Sequence, residues 1–129
     1  MALFLVAAAG VMAMGLKFVR AAPLIDHHAE ITKHEQVGHE TCRIIGALYK
    51  VLGGAFLSLG AVLAIVTVFG VGNDLFWAKA TILLGGVIAG GASAIVPRKV
   101  EQATGVRTPW RLAAAITSLV LAAFILSIL

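Results

Sequence analysis

Cysteine is almost missing from this 129-residue chain: Cys42 stands alone, so no internal disulfide can form and no cysteine-based metal site can be built. Proline is nearly as scarce, with Pro23, Pro97 and Pro109 the only three, and none interrupts the long run between Pro23 and Pro97. Charge is the third shortage. Only 12% of residues are Asp, Glu, Lys or Arg, while 60% are hydrophobic and the mean hydropathy is +1.02. Soluble domains carry about 25% charge, so this composition is that of a membrane protein. Without a long hydrophilic block, residues 1–129 form a single domain.

Two further absences narrow the function. The apolar runs contain no histidine, which excludes axial haem ligation within them, and no acidic residue, which argues against a proton-driven antiporter working alone. The chain is basic, with a net charge of +4 and a pI near 9.7. Its cations flank hydrophobic runs instead of forming a basic surface interleaved with aromatics, so they read as topology signals and not as a nucleic-acid interface.

What remains is four apolar runs and the connections between them. The runs cover about residues 2–19, 44–69, 75–96 and 112–129, each near the roughly 20 residues needed to cross a bilayer core of about 30 Å. The first has its cations, Lys17 and Arg20, after the apolar stretch, which favours a retained span over a signal peptide. Gly70-Val71-Gly72-Asn73-Asp74 is turn chemistry between the second and third runs. Pro97 is expected to close the third, and Trp110 with Arg111 to anchor the fourth at an interface. The fold class is therefore an all-α polytopic bundle of four transmembrane helices. Basic residues gather at the first and third connections, which places both on the cytoplasmic side of a bacterial inner membrane and both termini outside.

One polar stretch, Asp26–Arg43, holds all four histidines and four of the six acidic residues. It is expected to be helical and continuous with the second span, with a bend allowed at Gly38, giving a cytoplasmic His/Glu-rich extension. On a helix, His27, Glu30 and His34 share a face, and Glu35 with His39 forms an i, i+4 pair, so His27, Glu30, His34 and His39 are the candidate metal ligands. The sharper signatures are missed. His34 and His39 stand five residues apart, which turns them about 140° from one another, where the H-E-x-x-H spacing would align them. No cofactor is expected, and a metal only if these four converge.

Small residues mark the helix-packing faces. Gly53, Gly54 and Ser58 in the second span and Gly85, Gly86 and Gly90 in the third form seams that allow close backbone approach, within the bundle or in a homodimer. Lys50 and Arg107 are candidate functional charges, Lys50 because it lies inside a span.

The layout of a short first span, a polar segment, then Glu40-Thr41-Cys42-Arg43 leading to Tyr49 and the glycines of the second span, resembles small four-helix bacterial membrane proteins of the DoxX-like kind. That resemblance implies a four-helix bundle. The stretch Gly105-Val106-Arg107-Thr108-Pro109-Trp110-Arg111-Leu112 is similar to a loop motif of the SdpI/YhfL membrane family, some of whose members give immunity to a secreted toxin. In that family a further tryptophan and a polar helix follow, whereas here an apolar run begins at once. These features together lead to the expectation of a non-catalytic accessory or structural subunit of a larger inner-membrane complex, in contact with lipid and with other membrane subunits. The alternative is a stand-alone or homodimeric transporter or immunity-type protein, and a metal-dependent membrane enzyme comes third.

Overall fold

The structure is a computed structural model; it describes residues 1–21, 29–31 and 38–129, and among them it contains helices and turns but no strand. Helix α1 spans Ala2–Arg20, α2 spans His39–Val66 and continues into a π-helical turn at Thr67–Val71, α3 spans Phe76–Thr104 and α4 spans Trp110–Ile128. All four are long and apolar enough to cross a membrane. Their outer faces carry bare aliphatic and aromatic side chains such as Val51, 73% exposed, and Phe69, 68% exposed. Apolar surface on that scale is a liability in water and the natural complement of lipid.

The helices pack as two antiparallel pairs, α1 with α2 and α3 with α4, while α1 also meets α4. Close approach of backbones makes the first pair. A β-carbon on Gly53 would lie 2.8 Å from the Gly15 carbonyl oxygen, and one on Gly15 would lie 2.9 Å from the Gly53 oxygen, so neither position has room for alanine. Phe18 reinforces the pair by ring contacts with Tyr49 and Phe56, at centroid separations of 5.7 and 5.9 Å.

The two pairs join at one end of the molecule. Met1 lies beside Gly72 of the α2–α3 turn, and the buried core gathers there: Phe4 at 1% exposure, Ala7, Ala8, Leu63, Ala78 and Ile82. Within the π-turn, Gly70 meets Ala78 so closely that a side chain would not fit, and buried Thr67 donates to the Leu63 carbonyl at 2.7 Å. The reversal that follows is closed by backbone bonds from Asp74 N–H to the Val71 carbonyl at 3.0 Å and from Leu75 N–H to the Gly70 carbonyl at 2.9 Å. The end of α1, the start of α2 and the connection 105–109 lie at the opposite end.

Three boundaries differ from the sequence expectations. The helix expected to run from Asp26 into the second span does not pass through Gly38, whose extended backbone (φ −64°, ψ 153°) makes it the N-cap of α2. Glycine costs about 1 kcal/mol inside a helix relative to alanine and is well tolerated at an N-cap, so the break falls where it is cheapest. The second span begins at His39, ahead of Ile44. Helix α3 continues through Pro97 to Thr104 instead of ending there. Proline removes one backbone donor and so costs the Ser93 carbonyl its usual partner, a loss that membrane helices tolerate; separately, the Thr108 hydroxyl donates to the Pro97 carbonyl at 2.9 Å and ties the 105–109 connection to α3. The true stop is Gly105, left-handed at φ 71°, whose N–H donates to the Glu101 carbonyl at 2.9 Å.

Candidate functional site

Away from the shared core the two pairs separate. Helices α2 and α3 touch mainly near their connecting turn, and α1 and α4 diverge below Gly10 and Ile116, where a β-carbon on Gly10 would lie 3.1 Å from Ile116 Cδ1. The separation leaves an apolar gap. A small central void of about 50 Å³ shares lining residues with two larger spaces of about 340 Å³ each, one between α1 and α4 and one between α2 and α3 and bordered also by α1. Met14 borders all three, and Phe18 borders both larger spaces. The ring contacts of Phe18 keep these side chains on the α1/α2 wall, while Ile116, Ser93 and Pro97 form the α3/α4 wall.

At the open end each pair carries its own fastening. Glu101, near the end of α3, accepts from the Thr108 backbone N–H at 2.8 Å and from Arg111 at 3.1 Å. The Arg98 and Arg111 guanidiniums lie 5.3 and 4.8 Å from the Trp110 ring, within cation–π range. The residues of the 105–111 loop thus serve the fold one by one. Gly105 ends α3, Thr108 and Glu101 pin the loop, Pro109 starts α4, and Trp110 stacks with its arginines. Trp77 lies near the other end of α3. From Trp77 to Arg98 the helix rises about 31 Å at about 1.5 Å per residue, which matches a bilayer core of about 30 Å.

The closed end has one charged fastening. Lys79, only 7% exposed, donates to the Ser127 carbonyl at 2.7 Å and pairs with Asp74 of the turn. One side chain thereby ties the start of α3 to the end of α4 and to the α2–α3 turn. The carbonyl it reaches is one of those left without a partner at a helix C-terminus, where positive charge is favoured. The Lys79 ammonium, by hydrogen bond and by charge, holds the Asp74 carboxyl below its ordinary pKa. Asp74 itself has a left-handed backbone, φ 57°, in keeping with its turn position.

The sequence-derived candidates are scattered through this frame. Gly53 faces α1, Gly86 faces Val120 and Gly90 faces Thr117 of α4. Gly54 and Ser58 point outward on α2, and Gly85 borders the central void. The seams of α2 and α3 therefore turn to α1 and α4, not to one another. Lys50 and Arg107 are exposed, and neither borders the gap. Of the candidate metal ligands, His27 and His34 lie outside the described residues, while Glu30 and His39 are exposed. Among the described residues no three metal-ligating side chains converge.

Sequence reasoning misses the gap and the full reach of Lys79. The Asp74–Lys79 spacing across a turn is visible in the sequence, but the Ser127 carbonyl is not. Comparison with family models, with curated proteins and with solved structures finds no match to this chain.

Proposed function

We propose that this chain is a non-catalytic accessory subunit of a larger membrane complex, and that a transmembrane segment of its partner docks at the open end of the bundle. The observation that supports this reading most is the gap itself. Protein interiors pack as densely as organic crystals, yet here apolar walls stand apart over several hundred Å³ at one end of an otherwise joined bundle. The α3 wall between Gly85 and Ser93 is built of small side chains, including Ala89 and Ala92, which permit the close backbone approach that drives helix association in lipid. The distribution of basic residues orients both polar connections toward the cytoplasm of a bacterial inner membrane. The outward Gly54 and Ser58 offer a second packing face, suited to a copy of the same chain.

The test is purification from native membranes in mild detergent with native mass spectrometry. A stoichiometric partner is expected, and Ala92→Trp, which fills the mouth between α2 and α3, should reduce its recovery at least tenfold without loss of helicity. Recovery of the chain alone, or a partner indifferent to Ala92→Trp, would overturn the proposal.

A transporter acting alone or as a homodimer is the second reading. It draws on the same gap being shut at one end by the Lys79 fastening. Solute movement by the purified chain in vesicles, blocked by Ala92→Trp, would favour it over the subunit.

A further inference from the structure

The space between α1 and α4 differs from its counterpart between α2 and α3 in one respect: a cation stands on its wall. It is bordered by Gly10, Ala13 and Met14 of α1 and by Leu112 and Ile116 of α4, all apolar, and by Lys17. Lys17 and Arg20 occupy the last turn of α1, both exposed, and neither forms an ion pair among the described residues. Pro109, which also borders this space, adjoins Trp110 with its flanking arginines. Lys17 therefore stands at the depth of the interface, with the apolar crevice running from it toward the bilayer interior.

A narrow apolar slot facing lipid, with an exposed cation at its interfacial end, matches a molecule that is apolar along its length and anionic at its head. We propose that the crevice between α1 and α4 holds one acyl chain of an anionic phospholipid, whose phosphate is taken by Lys17. The small residues Gly10 and Ala13 make room for the chain, Met14 and Ile116 flank it, and the flexible lysine stem lets the ammonium rise to the phosphate. This inference rests on the membrane-spanning reading of the helices and is independent of any protein partner at the α2/α3 mouth.

The experiment uses the full chain, reconstituted in vesicles of equimolar phosphatidylglycerol and phosphatidylcholine, extracted in mild detergent and read by native mass spectrometry. One lipid should be retained, with phosphatidylglycerol preferred about fivefold, the factor that corresponds to about 1 kcal/mol for one interfacial cation. Lys17→Gln should bring the two lipids to parity, Lys17→Arg should keep the preference, and Lys99→Gln, a cation on α3, should leave it unchanged. Ala13→Trp should displace both lipids. Equal retention of both lipids by the unaltered chain, retention of neither, a preference indifferent to Lys17→Gln, or one lost equally with Lys99→Gln would each overturn the site. Retention of neither lipid would also count against the membrane-spanning reading, whereas equal retention would leave that reading intact.

Discussion

The two ends of this bundle are built from the same four helices and yet are held in different ways. At the closed end, Phe4, Ala78 and Ile82 pack across both pairs, Gly70 fits against Ala78, and Lys79 binds across from α3 to α4. At the open end the fastenings stay within a pair: Phe18 with Tyr49 and Phe56 in one, Glu101 with Thr108 and Arg111 in the other. The contrast teaches where fold and function divide. One end is completed by the chain itself, and the other presents apolar walls that stand apart, which we propose are filled by a partner helix on one side and a lipid on the other.

The largest expected effect comes from deleting packing that both pairs share. Phe4→Ala should lower stability by about 3 kcal/mol, near the low end of the range for buried Phe→Ala changes, because in lipid the released side chain keeps an apolar environment. Thermal unfolding in detergent, followed by circular dichroism, measures it. Phe56→Ala, which removes a ring from the gap wall, should cost less than half as much; equal losses would break the distinction between the ends. Next comes Gly53→Ala, whose new methyl group would press on the α1 backbone and should cost about 1–3 kcal/mol. Gly54→Ala, one residue along and facing outward, should change stability by under about 0.5 kcal/mol. Comparing chemical denaturation of the two variants would show which face of α2 carries the pair.

Lys79→Met should remove about 1–2 kcal/mol by leaving the Ser127 carbonyl without its charged donor, and limited proteolysis should show the end of α4 becoming accessible. The smallest effect concerns acid. Because the folded Asp74 carboxyl titrates below its unfolded value, the contribution of its pair with Lys79 is present above the unfolded pKa and is lost as pH falls through the folded one. Melting temperature should therefore fall slightly on acidification below the ordinary carboxylate range, and Asp74→Asn should flatten that part of the profile. The fully exposed carboxylate keeps the effect small.

Much of the fold is legible in the sequence because four runs are long and apolar enough to span a bilayer, and a bilayer would impose simple rules on them. Long apolar runs must be helices when no water is present to satisfy the backbone, and the turn at Gly70–Asp74 carries its own chemistry. The end of α3 is harder to read. Pro97 carries the stop signal of a soluble helix, while Gly105, able to take a left-handed backbone, holds the actual one. The glycine seams are visible, but their partners are not. Gly53 needs Gly15 opposite it, and Gly86 and Gly90 fit against Val120 and Thr117, pairings that depend on which helices become neighbours. The gap leaves no trace in the pattern at all, since it depends on which helices become neighbours and where along their length they meet. The histidine-rich stretch, prominent in composition, contributes only Glu30 and His39 to the described region from its four candidate ligands, and neither approaches the gap.

The central claim, that the open end is completed by a partner helix, is tested most directly by placing a photocrosslinking side chain at position 92 in the mouth between α2 and α3. A matched control carries it at position 54, on the outward face of α2. Illumination in native membranes is predicted to join position 92 to one polypeptide of discrete mass other than the chain itself, whereas position 54 should yield only adducts with lipid or with a second copy of the chain. Adducts from position 92 that contain only lipid or the chain itself would contradict the account.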